Sequence, residues 1–215
     1  MSSIEILDRA NRAIGRQLSN PHGVGGRLVG AAMRYANRWP TRALIDAMDI
    51  RPEHRVLDVG CGDGSALAAV PHARLRCGVD RSETMLAVAK ARLRRSIHEG
   101  RVKLTFGDMM ELPVETGGYD RIVASNILYF CEDVPAFIEE CRKVAAPGAL
   151  LGIYVTAAAS MAKWRFASRL THRHFTRAEL DKELHRAGAA PEKRTLIELP
   201  LPGDVEGLIA LVQLS

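Results

Sequence analysis

The chain has 215 residues, 47% hydrophobic and 26% charged, with a formal net charge of +5. That is enough for one α/β domain with a buried core, and no apolar run approaches the roughly 18 residues of a membrane span. The four cysteines, Cys61, Cys77, Cys131 and Cys141, have neither C-x-x-C spacing nor a partnering histidine cluster, which argues against a metal site and fits reduced thiols in a cytoplasm.

Residues 1–50 read as an N-terminal helical lid and residues 51–215 as the body of a single compact domain. The start, Met1-Ser2-Ser3-Ile4-Glu5, lacks the basic region and apolar core of a secretion signal. Ile4, Leu7, Ile14 and Leu18 fall near one face of a first helix, with Arg9, Arg12 and Arg16 on others. Asn20-Pro21-His22-Gly23 breaks that pattern, and further helices are expected at Arg27–Asn37 and Thr41–Met48. Strands at 55–59, 74–80, 101–107, 119–125 and 149–155 then alternate with helices at 64–70, 82–98, 132–145 and 176–187. Such alternation implies a parallel sheet with helices on both faces. Two more strand-like runs, Lys193–Leu199 and Leu208–Leu214, are joined only by Pro200-Leu201-Pro202-Gly203-Asp204, a connection short enough to force an antiparallel pair.

The strongest signal is Val56-Leu57-Asp58-Val59-Gly60-Cys61-Gly62-Asp63-Gly64-Ser65, an apolar strand running into a loop with glycine at alternate positions. Glycine admits positive φ and close approach of a ligand to the backbone. The following helix N-terminus favours an electron-rich ligand group. Asp80, at the end of the Leu75–Val79 strand, is placed to accept hydrogen bonds from ribose hydroxyls. A dinucleotide fingerprint would need glycine at position 65, where Ser65 stands, and Asp58 sits badly beside a diphosphate. A carboxylate there suits a ligand that carries an ammonium and a sulfonium.

This run resembles motif I of class I S-adenosylmethionine-dependent methyltransferases, an acidic residue followed by G-x-G-x-G. Thr105-Phe106-Gly107-Asp108-Met109 resembles the family's third-strand motif, Tyr119 to Asn126 its fourth strand, and Ala146-Pro147-Gly148-Ala149-Leu150-Leu151 the turn into its fifth. Asn126-Ile127-Leu128-Tyr129-Phe130, Phe175-Thr176-Arg177-Ala178-Glu179-Leu180 and Ala187-Gly188-Ala189 are similar to the type-11 and ubiquinone/menaquinone-biosynthesis groups. The resemblance implies a Rossmann-like seven-stranded mixed sheet of order 3-2-1-4-5-7-6, strand 7 antiparallel, over residues 51–215. It implies cofactor contacts from Asp58, Gly60, Cys61, Gly62, Gly64, Asp80, Arg81, Met85, Asp108, Met109 and Asn126. In the family the aspartate matched by Asp108 takes the adenine amine, and the end of the fourth strand contacts the methionine portion.

The activity implied is methyl transfer to O, N or C of a small organic acceptor. Alignment of the two reactants does most of that work, worth about 7–11 kcal/mol. Ser125-Asn126-Ile127-Leu128 is neither the Asn/Asp-Pro-Pro-Tyr/Phe motif of enzymes that methylate amino groups nor the Pro-Cys pair of cytosine methylation. Candidate acceptor contacts are His22, Tyr35, Trp39, Tyr129, Trp164, His172 and His174, with Tyr129 and His22 taken as catalytic. Arg27 or Arg34 is a candidate for the cofactor carboxylate, Trp39 for a wedge between lid and body, and Cys131 for a plain helix-entry thiol. The basic amphipathic first helix and Met161 to Leu170 keep open peripheral membrane contact, with a lipid headgroup or quinone precursor as acceptor. A non-methylating user of the cofactor, or a silent cofactor-binding partner, is the other alternative. Aromatics are few and no long basic patch interleaves them, so nucleic acid is disfavoured. The motifs specify neither an oligomeric state nor the acceptor.

Overall fold

The computed structural model describes residues 37–164, 167 and 172–214. The expected first helix and most of the second, with His22, Arg27, Arg34 and Tyr35, lie outside the described residues, as does most of 165–171.

The strands are β1 Arg55–Val59, β2 Leu75–Asp80, β3 Val102–Phe106, β4 Tyr119–Ser125, β5 Ala145–Thr156, β6 Arg194–Leu201 and β7 Val205–Gln213. They form one sheet of order β3-β2-β1-β4-β5-β7-β6, the order expected. β1 to β5 pair in parallel, and β7 is antiparallel to both β5 and β6. The sense follows from the connections. Only residues 202–204 separate β6 from β7, with Gly203 and Asp204 at φ +77° and +52°, a turn too tight for anything but a hairpin. The described helices are α1 (37–47), α2 Ser65–Ala69, α3 Glu83–Arg92, α4 Arg94–His98, α5 Val134–Val144, α6 Ala158–Met161 and α7 Arg177–Arg186. Ser82, Asp133 and Thr176 cap α3, α5 and α7, accepting from the backbone N–H of Met85, Ala136 and Glu179 at 3.3, 3.1 and 3.1 Å.

The two-residue period of a strand decides what the site can contain. Leu57 and Val59 enter the core under α5 and α7, whereas Val56 enters a second core with Leu44, Ile45 and Met48 of α1. Asp58 therefore points to the α1 side. Among the described residues no helix is long and apolar enough to cross a membrane.

Three elements depart from expectation. The helix expected over 82–98 is interrupted at Leu93, whose side chain turns into the core with Leu67 and Leu86. β5 starts at Ala145, directly after α5, because Ala145 pairs with Tyr119 before a register shift at Arg121. The helix expected from Thr41 already includes residues 37–40; Trp39 on it is 56% exposed, with the Arg38 guanidinium 5.5 Å from its ring, and the lid segment it was expected to wedge lies outside the described residues.

Leu44 and Met48 seat α1 on β5 so closely that a Cβ at Gly152 would lie 2.4 Å from the Met48 sulfur. Leu44→Ala should cost about 2–5 kcal/mol in chemical unfolding. A cost under about 0.5 kcal/mol would mean that α1 adds nothing to the core.

Candidate functional site

The carboxyl ends of β1 to β4 open on a cavity of about 500 Å³. Its floor is the loop after β1. The N–H groups of Gly60 and Cys61 both donate to the Val79 carbonyl, at 2.8 and 3.0 Å. The Gly62 N–H donates to Asp80 Oδ2 at 2.7 Å, and the Ser82 N–H to Oδ1 of the same carboxylate at 2.8 Å. Gly60, Gly62 and Gly64 take φ of +69°, +52° and +73°, the left-handed region. A Cβ at Gly60 would lie 2.3 Å from Ile127 Cγ2, and one at Gly64 2.8 Å from Leu93 Cδ1; at Gly62 nothing lies nearer than 3.9 Å. Gly60 thus admits the segment after β4, Gly64 admits α3, and Gly62 faces open space. α2 is a single five-residue turn, and three loop N–H groups are already bonded to Val79 and Asp80.

What faces the cavity is acid. Asp58 is 3% exposed and shares the wall with Asp63, Asp80 and Asp108. Burial pushes the Asp58 carboxyl well above the usual range, and the charges of Asp80 and Asp63 push it further. Burial also raises Asp80, against the lowering effect of the Ser82 and Gly62 N–H groups. Asp63 is ion-paired with Arg92 at 2.9 Å and accepts from the Ser65 N–H at 3.1 Å. Buried acids held this close are costly as anions, and a cationic ligand offsets the cost. Among the described residues no group of three His, Cys, Asp or Glu is arranged to hold a metal ion.

Asp58, Gly60, Cys61, Gly62, Asp80, Arg81, Met85, Asp108, Met109 and Asn126 all line the cavity, whereas Gly64 lies behind it. Cys61 fills space: a Cβ at Gly78 would sit 2.7 Å from its sulfur, and burial raises its thiol pKa strongly. Tyr129 is not in the wall. It is 7% exposed, its hydroxyl accepts from the Thr156 N–H, and it donates to Asn126 Oδ1 at 2.9 Å. Burial holds its pKa above the usual phenol value, so it stands behind Asn126 as a poor base. The Cys131 thiol is buried, its pKa pushed up to about 11. The His172 ring lies 4.9 Å from that of Phe130, and His174 Nε2 lies 2.7 Å from the Ala167 carbonyl; neither histidine lines the cavity. Trp164 packs against the core.

The sequence reading missed Asn37, Arg38, Thr41 and Arg42, together with Asp63, Arg92 and Phe130, all in the wall. Spacing of one, four and five residues puts the first four on one face of α1, a pattern hidden while the helix was taken to start at Thr41.

The methyltransferase-domain family matches residues 56–148. The chain is 34% identical over 116 residues to methyltransferase GfsG of Streptomyces halstedii, which covers 53% of this chain and 41% of that protein. It is 32% identical over 117 residues to demethylmenaquinone methyltransferase of Staphylococcus saprophyticus, covering 53% of this chain and 48% of the relative. The chain thus spans under half the length of either relative. Geranyl diphosphate C-methyltransferase of Streptomyces coelicolor, solved with Mg2+, geranyl diphosphate and S-adenosyl-L-homocysteine, has a TM-score of 0.69. At 12% identity, over 93% of this chain and 88% of that one, it shows a shared fold.

A carboxyl whose pKa is higher folded than unfolded keeps its proton longer in the folded state. Ligand-free stability is therefore lost as pH rises from the ordinary Asp value of about 3.9 through the raised one. Asp58→Asn should make that decline shallower and raise ligand-free stability near neutral pH. Thermal melts of both proteins across the acidic-to-neutral range test this, and identical pH slopes would refute it.

Proposed function

We propose that this chain, whose residues 56–148 match a methyltransferase-domain family, binds S-adenosylmethionine over its glycine loop and transfers the methyl group to a small organic acceptor. One observation carries the reading: buried Asp58, with Asp80 and Asp63 beside it, under a loop that spends three of its N–H groups on the protein itself. That surface suits an ammonium and a sulfonium and repels a diphosphate. When bound, the cofactor supplies an electrophilic methyl on a sulfur that departs as a neutral thioether.

The site residues divide the remaining work. Asp80 receives the ribose hydroxyls, Asp58 the ammonium, and Asp108 with Met109 the adenine. Phe130, Arg38 and Thr41 also line the cavity, and the acceptor is assigned to their side, in line with the methyl. A volume of about 500 Å³ is within the roughly 300–1,000 Å³ of small-molecule sites. The Phe130 wall and the likeness to a demethylmenaquinone methyltransferase support an acceptor with an aromatic ring.

Calorimetric titration of wild type with S-adenosylmethionine, S-adenosylhomocysteine and NADH tests the cofactor. Micromolar binding of the first two is expected. Asp80→Ala, checked for folding by circular dichroism, should weaken it by about 10- to 100-fold. Preference for NADH, or no binding of either sulfur compound, would overturn the proposal.

A further inference from the structure

We infer that Tyr129 is a positioning residue: its hydroxyl fixes which end of the Asn126 amide faces the cavity, so that the amide nitrogen receives the carboxylate of the cofactor's amino-acid portion. The inference rests on the functional reading above.

The argument is one of counting protons. The Thr156 backbone N–H, which can only donate, points at the Tyr129 oxygen. The phenol proton is then left for Asn126 Oδ1, 2.9 Å away. Were the amide turned over, its NH2 would face a hydroxyl that must still place a proton of its own in a buried setting, a costly arrangement. With Oδ1 committed to Tyr129, the amide nitrogen is the end left for the cavity that Asn126 lines.

The backbone is held as firmly as the side chain. Asn126 has φ +59°, a left-handed conformation that asparagine tolerates, and its N–H donates to the Tyr154 carbonyl at 2.9 Å. The Tyr154 hydroxyl lies 3.3 Å from Thr156 Oγ1, so both arms of the clamp end on β5. β1 and β4 are neighbours, with Val59 paired to Ala124. Asp58 and Asn126 therefore stand at the ends of adjacent strands, an anion beside a donor. That pair complements a zwitterion, ammonium to Asp58 and carboxylate to Asn126. An amide oxygen in the same place would set a second acceptor next to a buried acid.

The test is a double-mutant cycle of Tyr129→Phe and Asn126→Gly, glycine being suited to the positive φ. Calorimetry would use S-adenosylhomocysteine and 5′-methylthioadenosine, which lacks the amino-acid portion. Each single variant should weaken S-adenosylhomocysteine by about tenfold. The double variant should be no weaker than the worse single, and 5′-methylthioadenosine should bind all four proteins alike. Loss of the Thr156 contact lowers the melting temperature of Tyr129→Phe in either background, so a merely structural role would not reproduce this pattern. Unchanged affinity in Tyr129→Phe, additive losses, or equal loss of 5′-methylthioadenosine would overturn the inference. If wild type binds neither nucleoside, the functional reading fails and the carboxylate assignment falls with it. The orientation of the amide is then read on its own from the Asn126 side-chain 15N–1H signals of the ligand-free protein. They should shift in Tyr129→Phe; if they do not, the orientation claim falls too.

Discussion

Two backbone N–H groups converge on one carbonyl, and the rest of the site follows from that crossing. For Gly60 and Cys61 both to reach the Val79 oxygen, the chain leaving β1 must fold across the end of β2. It can do so only through positive φ, met by Gly60, Gly62 and Gly64. The fold-over brings the Gly62 N–H against Asp80 and fixes that carboxylate at both oxygens. The backbone donors are then largely consumed internally. The glycine loop is, in three dimensions, a scaffold for carboxylates.

Those carboxylates are placed by simple periodicity. Strand alternation sends Leu57 and Val59 into the core under α5 and α7 and leaves Asp58 on the α1 side, at the mouth of the cavity. Nothing in folding favours a 3%-exposed acid next to two others. The cost is carried by the large apolar clusters on both sheet faces, and a cation in the cavity would offset it. Local instability of this kind at a site the fold does not otherwise need is the signature of a binding surface.

The sheet was legible in the sequence because its determinants are local: alternation of strand and helix patterns, and a connection too short for a parallel crossover. Asp58, Asp80 and Asp108 and most of the loop were legible because residue type and strand-end position coincide there. Facing direction was not. G-x-G-x-G spacing does not distinguish Gly62, turned to the cavity, from Gly64, turned to Leu93 of the neighbouring helix. Tyr129 looked like a site residue because it follows β4 closely. The short 3-10 turn Leu128–Phe130 instead rotates it into the core and brings the plainer Phe130 to the wall. The expected start at Thr41 hid the α1 contribution, because Asn37 and Arg38 fall before it and the shared face is not seen. The Asp63–Arg92 pair spans 29 residues, and nothing local announces it.

These failures share a cause that also bears on specificity. Cofactor-facing residues sit on strand ends and the first loop, whose geometry the sheet dictates. The remaining wall comes from α1 and the turn after β4, which pack on the sheet largely through side chains: Leu44 and Met48 against Gly152, and Ile127 against Gly60. Such docked elements can change their exposed face while keeping their buried one, because only the buried face is constrained by packing. On the proposed reading, cofactor binding is tied to the fold, while the acceptor side falls to Asn37, Arg38, Thr41 and Phe130, wall residues that are not part of any strand. A sequence reading anchored on strands and glycines reaches the first set and stops short of the second.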